Sequence, residues 1–261
     1  MPPATRISSR HHAVVQRCRR LARRAEPGVV LLDGAHVIDE ALNAGVAIEC
    51  LITDERDPAI AAAAERAGVP IHVATAAVME AISPVRTPSG VVAIAHWQPA
   101  SLASALERAP ALVVGLRGVQ DPGNFGSAIR AADALGASAV LALEDSADPG
   151  GWKALRGAMG STFHLPVATA GTAEAIAHCR ARGLQVAATV AAAGRDAAAT
   201  DLRAPTLVLL GSEGRGLPDD LVAEADVRVT IPMSPRVNSL NVAVTAALIL
   251  YEARRQRAGA G

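Results

Sequence analysis

Residues 111–144 read ALVVGLRGVQDPGNFGSAIRAADALGASAVLALE, and this stretch decides the fold class. An apolar run, ALVVGL, leads through the turn residues Asp121-Pro122-Gly123-Asn124 into a helical stretch, Ser127 to Leu135, and then into a second apolar run, SAVLALE. The alternation continues with FHLPVA, LQVAATV, TLVLLG and VRVTI, separated by helical stretches such as Ala173 to Ala181. Strands that are continuous apolar runs, each followed by a helix, are buried on both faces. Residues 111–261 are therefore expected to form an α/β domain with a mainly parallel sheet. Ligands of such sheets bind outside the carboxyl ends of the strands, so function is sought in the loops that follow them.

Upstream, GVVLLDGAHVIDEALNAGVAIECLITDE reads strand, turn, helix, strand: Val29 to Leu32 is the apolar run, Asp33-Gly34 the turn, and Val37, Ala41 and Leu42 share one helical face. AAAAERAGVPIHVATAAVMEAIS repeats a helix-strand-helix rhythm, and SGVVAIAHW adds a strand. Residues 1–97 thus read as a small α/β domain. QPASLASALERAPA, with two prolines and mixed polarity, places a linker at 98–110.

A chain of 261 residues is comfortable for two domains. The formal net charge is zero, which by itself gives no support to nucleic-acid binding. The distribution is less even: Arg6, Arg10, Arg17, Arg19, Arg20, Arg23 and Arg24 face a single early acid, Glu26. Such a segment is either a phosphate-binding arm or a solvated helix face. No run of about 18 uncharged apolar residues occurs, which argues against a membrane-spanning helix. The arginine-studded start has no apolar signal-peptide core, so a cytoplasmic location is expected. Cys18, Cys50 and Cys179 are odd in number, far apart and free of C-x-x-C spacing, which fits neither a disulfide framework nor a zinc site.

Three loops at strand ends hold polar residues that packing does not require. In the first, Asn124 is a plausible helix cap. Arg130, placed in the second turn of the helix among Ala128, Ile129, Ala131 and Ala132, makes with the helix N-terminus a place for an anion such as a phosphate. In the second, the strand LVLLG ends in Gly211-Ser212-Glu213-Gly214-Arg215-Gly216, where three glycines let backbone approach a ligand; an ordinary flexible turn is the competing reading. In the third, IPMSPRVNSLNVAVTAALILYE, Ser239 is read as the cap of the last helix. Asn241 falls in its first turn, either to bind a ligand or to satisfy nearby backbone. A dinucleotide site is the alternative, with Glu144 as the ribose-binding acid, but only Gly123-x-x-Gly126 of its glycine fingerprint is present.

Taken together, DPGNFGSAIRAADALG, LVLLGSEGRGL and IPMSPRVNSLNVAVTAALILYE resemble, in order and spacing, the three motifs of the SpoU (TrmH) family of RNA ribose 2′-O-methyltransferases, of the SPOUT superfamily. Residues 1–97, through VVLLDGAHVIDEAL and SPVRTPSGVVAIA, resemble that family's L30e-like RNA-binding extension. The resemblance implies a SPOUT domain with a C-terminal trefoil knot, a homodimer, and S-adenosylmethionine as cofactor. Leu210, Gly211, Ile231, Met233 and Leu240 would hold the cofactor, and no metal is required. Asn124, Arg130, Glu213, Ser239 and Asn241 would form the catalytic group. A guanidinium is charged at ordinary pH, so stabilising the developing 2′-alkoxide is an easier role for Arg130 than acting as its base. The implied partner is structured RNA, ribosomal before transfer RNA, with Arg6, Arg10, Arg17, Arg19 and Arg20 as the candidate phosphate contacts. A non-catalytic RNA-binding module with this fold is the other reading. Pro235, Asn238 and Ala243 depart from residues common in the family, at positions outside the implied catalytic group.

Overall fold

The computed structural model describes residues 5–23, 26–83, 85, 87–107 and 111–259. They fall into two compact units. The first runs to Gln98 and also takes in Gly150–Phe163; the second comprises Pro99–Pro149 and the chain from His164 onward.

The first unit is built on a five-stranded sheet of β1 (Thr5–Ile7), β2 (Val29–Asp33), β3 (Ile48–Thr53), β4 (Ile71–Ala74) and β5 (Val91–His96), in the order β1-β4-β3-β5-β2. β1, β4 and β3 run parallel, while β5 is antiparallel to both β3 and β2. α1 (Ala13–Leu21) and α4 (Ala76–Ile82) cover one face through Val15, Cys18, Val78 and Ile82. α2 (Ala35–Asn43) and α3 (Pro58–Arg66) cover the other through Val37, Ile38, Ala41 and Ile60. The spacing of Val15, Cys18 and Leu21 sets the buried stripe of α1 and turns its arginines outward or to the flank.

The inclusion of residues 150–163 in this unit has no signature in the hydrophobic pattern. α7 (Trp152–Ala158) lies against β2, and Leu155 is buried in the same cluster as Leu32 and Val37. Asp33, 2 % exposed at the end of β2, accepts hydrogen bonds from the hydroxyls of Ser83 (3.1 Å) and Ser89 (2.6 Å) and pairs with Arg156 at 3.4 Å. A carboxylate can be buried there because its oxygens are matched by donors.

The second unit is a wholly parallel seven-stranded sheet: β6 (Leu112–Leu116), β7 (Ala139–Ala142), β8 (Val167–Thr169), β9 (Gln185–Thr189), β10 (Arg195–Asp196), β11 (Thr206–Leu210) and β12 (Val227–Thr230). Their order is β10-β12-β9-β11-β6-β7-β8. The six apolar runs expected as strands are six of these seven; β10, two exposed residues, has no apolar run to announce it. The chain builds outward from β6 through β7 to β8, then returns to lay β11 on the other side of β6. The carboxyl ends of β6 and β11 therefore flank the point where the winding reverses, which is where open α/β sheets form a crevice.

The stretch 98–110, expected as a linker, contains α5 (Leu102–Ala105), capped by the Ser101 side chain, and Leu102, Ala105 and Leu106 are buried in the core of the second unit. Its prolines and polar residues conceal three apolar positions at helical spacing; residues 108–110 lie outside the described set. α6 (Pro122–Ala134), α8 (Thr172–Arg180), α9 (Asp219–Glu224) and α10 (Val242–Ala258) complete the unit. No described helix is long and apolar enough to cross a membrane. All three cysteines are free and buried. Burial pushes the Cys18 thiol up to about 12 and those of Cys50 and Cys179 to about 11, so they stay protonated and unreactive at neutral pH.

Candidate active site

α6 begins five residues before the expected Ser127 because Pro122 sits in its first turn, where a missing N–H costs nothing. Its cap is Asp121, whose side chain accepts from the Asn124 N–H at 2.8 Å; Asn124 is not the cap. The displaced start changes the geometry of Arg130. It lies in the third turn and not the second, about 12 Å of helical rise from Pro122.

α10 likewise is not capped by Ser239. Its cap is Asn241, whose Oδ1 accepts from the N–H groups of Ala243 (2.9 Å) and Val244 (3.3 Å). A polar residue at the start of a helix made largely of Ala, Val and Leu is thus a structural necessity on its carbonyl side. The amide side is directed elsewhere: Asn241 Nδ2 donates to Asn124 Oδ1 and to Glu213 Oε1, both at 2.9 Å. Asn124 Nδ2 donates to the same Glu213 oxygen at 2.6 Å, and the Val242 N–H approaches it at 3.5 Å. Residues from three loops thereby meet at one carboxylate oxygen. Each of the two helix starts contributes one amide, and the turn after β11 supplies the acceptor.

That turn is held tightly. The Gly216 N–H donates to the Ser212 carbonyl at 2.8 Å, and Arg215 N–H to Ser212 Oγ at 3.3 Å. A Cβ on Gly211 would lie 2.2 Å from the Gly216 carbonyl carbon and 2.3 Å from the Leu217 nitrogen, so only glycine fits where the strand meets its own returning loop.

Beside the turn is a cavity of about 360 Å³. All five residues expected to hold the cofactor line it: Leu210, Gly211, Ile231, Met233 and Leu240. Glu213 and Ser239 line it as well, whereas Asn124, Asn241 and Arg130 do not. The loop after β9, Thr189 to Ala191, also contributes. It was not singled out from the sequence, although the strand-end rule applied to LQVAATV points there. Arg130 is exposed and has no hydrogen bond or ion pair among the described residues.

The cavity suits S-adenosylmethionine. Its size is within the range of small-molecule sites, about 300–1,000 Å³, and its wall combines apolar side chains with glycine-rich backbone. Glu213, Asp219 and Arg215 add two carboxylates and a guanidinium to its lining, groups that would complement the charges of a cationic ligand bearing a carboxylate.

Glu144, the acid a dinucleotide reading would place on a ribose, is committed elsewhere. It accepts from the Thr172 N–H at 2.7 Å and from the Thr172 hydroxyl at the start of α8. Partial burial works against its charge. The two Thr172 hydrogen bonds, helped by Arg117, outweigh that and hold the carboxyl below its usual range. The site thus lacks both the glycine fingerprint and a free acid for that chemistry.

The candidate RNA-contacting arginines divide. Arg17 is bonded to Glu49, with its second contact at 3.0 Å, and lies 3.3 Å from Glu26. Arg6 is exposed, with Glu55 at 4.0 Å. Arg10, Arg19 and Arg20 form no ion pair among the described residues. Arg24 lies outside those residues.

Comparison with known proteins places the chain in a family. Residues 111–251 match the SpoU rRNA Methylase family, and residues 4–109 match the N terminus of thiostrepton-resistance methylase. The chain is 32 % identical to the 23S rRNA (guanosine(2553)-2′-O)-methyltransferase RlmP of Bacillus subtilis, over 88 % of this chain and 90 % of that protein. It is 38 % identical to the tRNA (guanosine(18)-2′-O)-methyltransferase of Escherichia coli, over 59 % of this chain and 67 % of that one. Among solved structures, the AdoMet-bound rRNA methyltransferase of Sinorhizobium meliloti superposes with a TM-score of 0.86 at 32 % identity, covering 97 % of this chain and 98 % of the other. The SpoU methyltransferase AviRb of Streptomyces viridochromogenes, in complex with AdoMet, gives 0.85 at 29 %, covering 95 % and 99 %. With three strand-end motifs, a matching parallel-sheet unit and an alignment over more than half its length, the chain belongs to the SpoU rRNA Methylase family.

Proposed function

We propose that this protein transfers a methyl group from S-adenosylmethionine to a ribose 2′-oxygen of structured RNA. The observation that carries the proposal is the cavity of about 360 Å³ beside the Asn124–Glu213–Asn241 cluster, lined by all five expected cofactor residues. When bound, the cofactor supplies an electrophilic methyl on a sulfonium. Leu210, Gly211, Ile231, Met233 and Leu240, which line the cavity, would hold its adenosine. Asn124 and Asn241 fix Glu213, and Ser239 orients the nucleotide from the cavity wall. A ribose hydroxyl is a weak nucleophile, so a cation must stabilise the negative charge that develops on it; Arg130 is that cation.

Arg130 stands apart from the cluster within one chain, and this favours a homodimer. Val244, Leu248 and Tyr251, at spacings of four and three along α10, are 47 %, 43 % and 59 % exposed. Such an apolar stripe on a helix otherwise packed on α6 is suited to a second copy, and α6 carries Arg130. The C-terminal segment forming a trefoil knot belongs to the same reading, as do residues 1–97 as RNA-binding domain and a cytoplasmic location.

Ribosomal RNA is favoured over transfer RNA. The likeness to an rRNA enzyme extends over 88 % of the chain and so includes the first unit, whereas the likeness to the tRNA enzyme covers 59 %. Calorimetry is expected to show binding of S-adenosylmethionine to the purified protein, and incubation with RNA to yield ribose-methylated product. Absence of cofactor binding overturns the function.

The free arginines of the first unit serve as phosphate contacts in this reading. Arg20→Ala is expected to reduce the slope of log affinity against log salt by roughly one contact's worth, about 0.7–0.9, in RNA-binding titrations. Arg17→Ala leaves the slope unchanged because Glu49 and Glu26 already neutralise it. Equal slopes for Arg20→Ala and the wild type return Arg20 to a solvated helix face.

A further inference from the structure

Between β12 and α10 the chain touches the cofactor cavity twice. Ile231 and Met233 line it, Asn238, Ser239 and Leu240 line it again, and the four residues between them do not. Those four, Ser234-Pro235-Arg236-Val237, form an exposed turn on the cavity rim. We propose that this turn grips the substrate strand: Arg236 binds a phosphate, and Val237 packs against the face of the base next to the methylated nucleotide. The inference rests on the methyltransferase reading above and adds to it which residues hold the RNA beside the reacting ribose.

The turn is preformed. The Val237 N–H donates to the Ser234 carbonyl at 2.9 Å and closes it. Pro235 occupies the second position of the turn, where its fixed φ is suited, and Ser234 the first, where serine is favoured. A strand that binds here has little protein to order, so the contacts go into holding the RNA.

Arg236 and Val237 are presented outward. Arg236 forms no hydrogen bond or ion pair among the described residues. No acidic residue occurs from Val227 to Tyr251, so none close in sequence neutralises it. Val237 is 46 % exposed, and the other large apolar side chains open to solvent among the described residues, Val244, Leu248 and Tyr251, form the stripe on α10. A lone exposed valine is ordinary on a protein surface. This one is distinguished by the fixed turn beneath it, the unpaired cation beside it and the cavity-lining residues on both sides.

The place of the turn points to its ligand. Two residues of chain span at most about 7 Å, so Val237 stands within that reach of Ser239, on the wall where the reacting ribose is held. A strand whose 2′-oxygen enters the cavity therefore passes the turn with an adjacent nucleotide. That oxygen reaches into a walled cavity when its nucleotide leaves the regular stack, and single nucleotides of RNA are read in this splayed form. Proteins that hold such a gap open fill it with an apolar side chain and fix the strand through its phosphates. Valine, branched at Cβ and stiff at χ1, suits a wedge.

The test is methyl transfer by the full-length protein from radiolabelled S-adenosylmethionine to total RNA of cells lacking it, with calorimetry for cofactor affinity and light scattering for mass. Val237→Ala is expected to raise the KM for RNA roughly 5- to 10-fold, the loss of two methyl groups of contact, with kcat and cofactor affinity unchanged. Arg236→Ala is expected to raise KM by a factor that shrinks roughly threefold between about 50 and 200 mM salt, because the contact it lacks is one that salt screens. The factor for Val237→Ala stays constant over the same range. Pro235→Ala, which keeps both contacts and frees the turn, is expected to raise KM about 2- to 5-fold. An unchanged KM in Val237→Ala or Arg236→Ala overturns the grip while leaving the methyltransferase intact. A lower mass in Val237→Ala gives the turn to a second copy of the chain, and weaker cofactor binding gives it to the cavity wall; either result overturns the grip. Wild-type protein that neither binds the cofactor nor labels RNA overturns the methyltransferase reading as well.

Discussion

Arg130→Ala is expected to lower kcat by about 10²–10³, the range for removing one preorganised stabiliser of a developing oxyanion, with cofactor affinity close to wild type. The reasoning combines what Arg130 touches with what it does not. It is exposed on α6, takes part in no hydrogen bond or ion pair among the described residues, and does not line the cofactor cavity. Truncating it therefore removes no packing and no contact with the cofactor, so stability and cofactor binding have little to lose. A group that stabilises charge present only in the transition state shows itself in kcat and not in ground-state affinity. Arg130→Lys separates charge from shape. It keeps the cation and loses the planar fork of donors, so activity between those of Arg and Ala is expected if the fork matters. Single-turnover methylation beside calorimetry reads both quantities. Full activity in Arg130→Ala removes the residue from the mechanism; loss of cofactor binding reassigns it to the cavity.

The proposed homodimer bears on the same experiment. If Arg130 serves the partner's site, mixing Arg130→Ala with a variant inactive through Glu213 restores activity in the mixed dimers, because one of their two sites has both residues. Mixing two cis-acting defects restores nothing.

What could be read from the sequence follows from which forces are periodic. The parallel sheet of the second unit was legible because six of its seven strands, β6, β7, β8, β9, β11 and β12, fall in apolar runs. β10, with Arg195 and Asp196 exposed, carries no such run. The three loops of the site were legible through their polar residues at strand ends. The roles within them were less so: Asn124 and Ser239 were assigned caps that Asp121 and Asn241 provide. Both helix starts offer several residues able to cap, Asp121 and Asn124 in one and Ser239 and Asn241 in the other. Propensity alone does not choose among them, because the choice depends on where Glu213 stands, 89 residues from Asn124 and 28 from Asn241. The assignment of residues 150–163 to the first unit is of the same kind. It rests on Leu155 and on the Arg156–Asp33 pair across 123 residues, which no local pattern encodes.

Gly211→Ala tests the turn on which the site depends and is expected to be the most damaging single methyl in the second unit. The added Cβ would stand 2.2, 2.3 and 2.4 Å from the Gly216 carbon, the Leu217 nitrogen and the Gly216 oxygen, all backbone atoms that no side-chain rotation can move away. The turn must open by the order of 1 Å. Opening it stretches the Gly216-to-Ser212 hydrogen bond and shifts Glu213 away from the two asparagine amides. Overpacking of this kind costs about 1–3 kcal/mol where side chains can adjust. At a backbone contact the upper end is expected, which corresponds to a rise in cofactor Kd of about 100-fold if the strain is relieved by distorting the cavity. A displacement of that size in a catalytic group also costs about 10² in rate. Gly214 supplies the control. It lies in the same turn with no atom within 4 Å of its Cβ position, and its φ is not in the left-handed region, so Gly214→Ala is expected to bind the cofactor within a few-fold of wild type. Calorimetric titration of both variants with S-adenosylmethionine decides the matter. If Gly211→Ala binds as tightly as Gly214→Ala, the turn is not closed against the strand end, and the cavity does not depend on the close approach of Gly211 to Gly216.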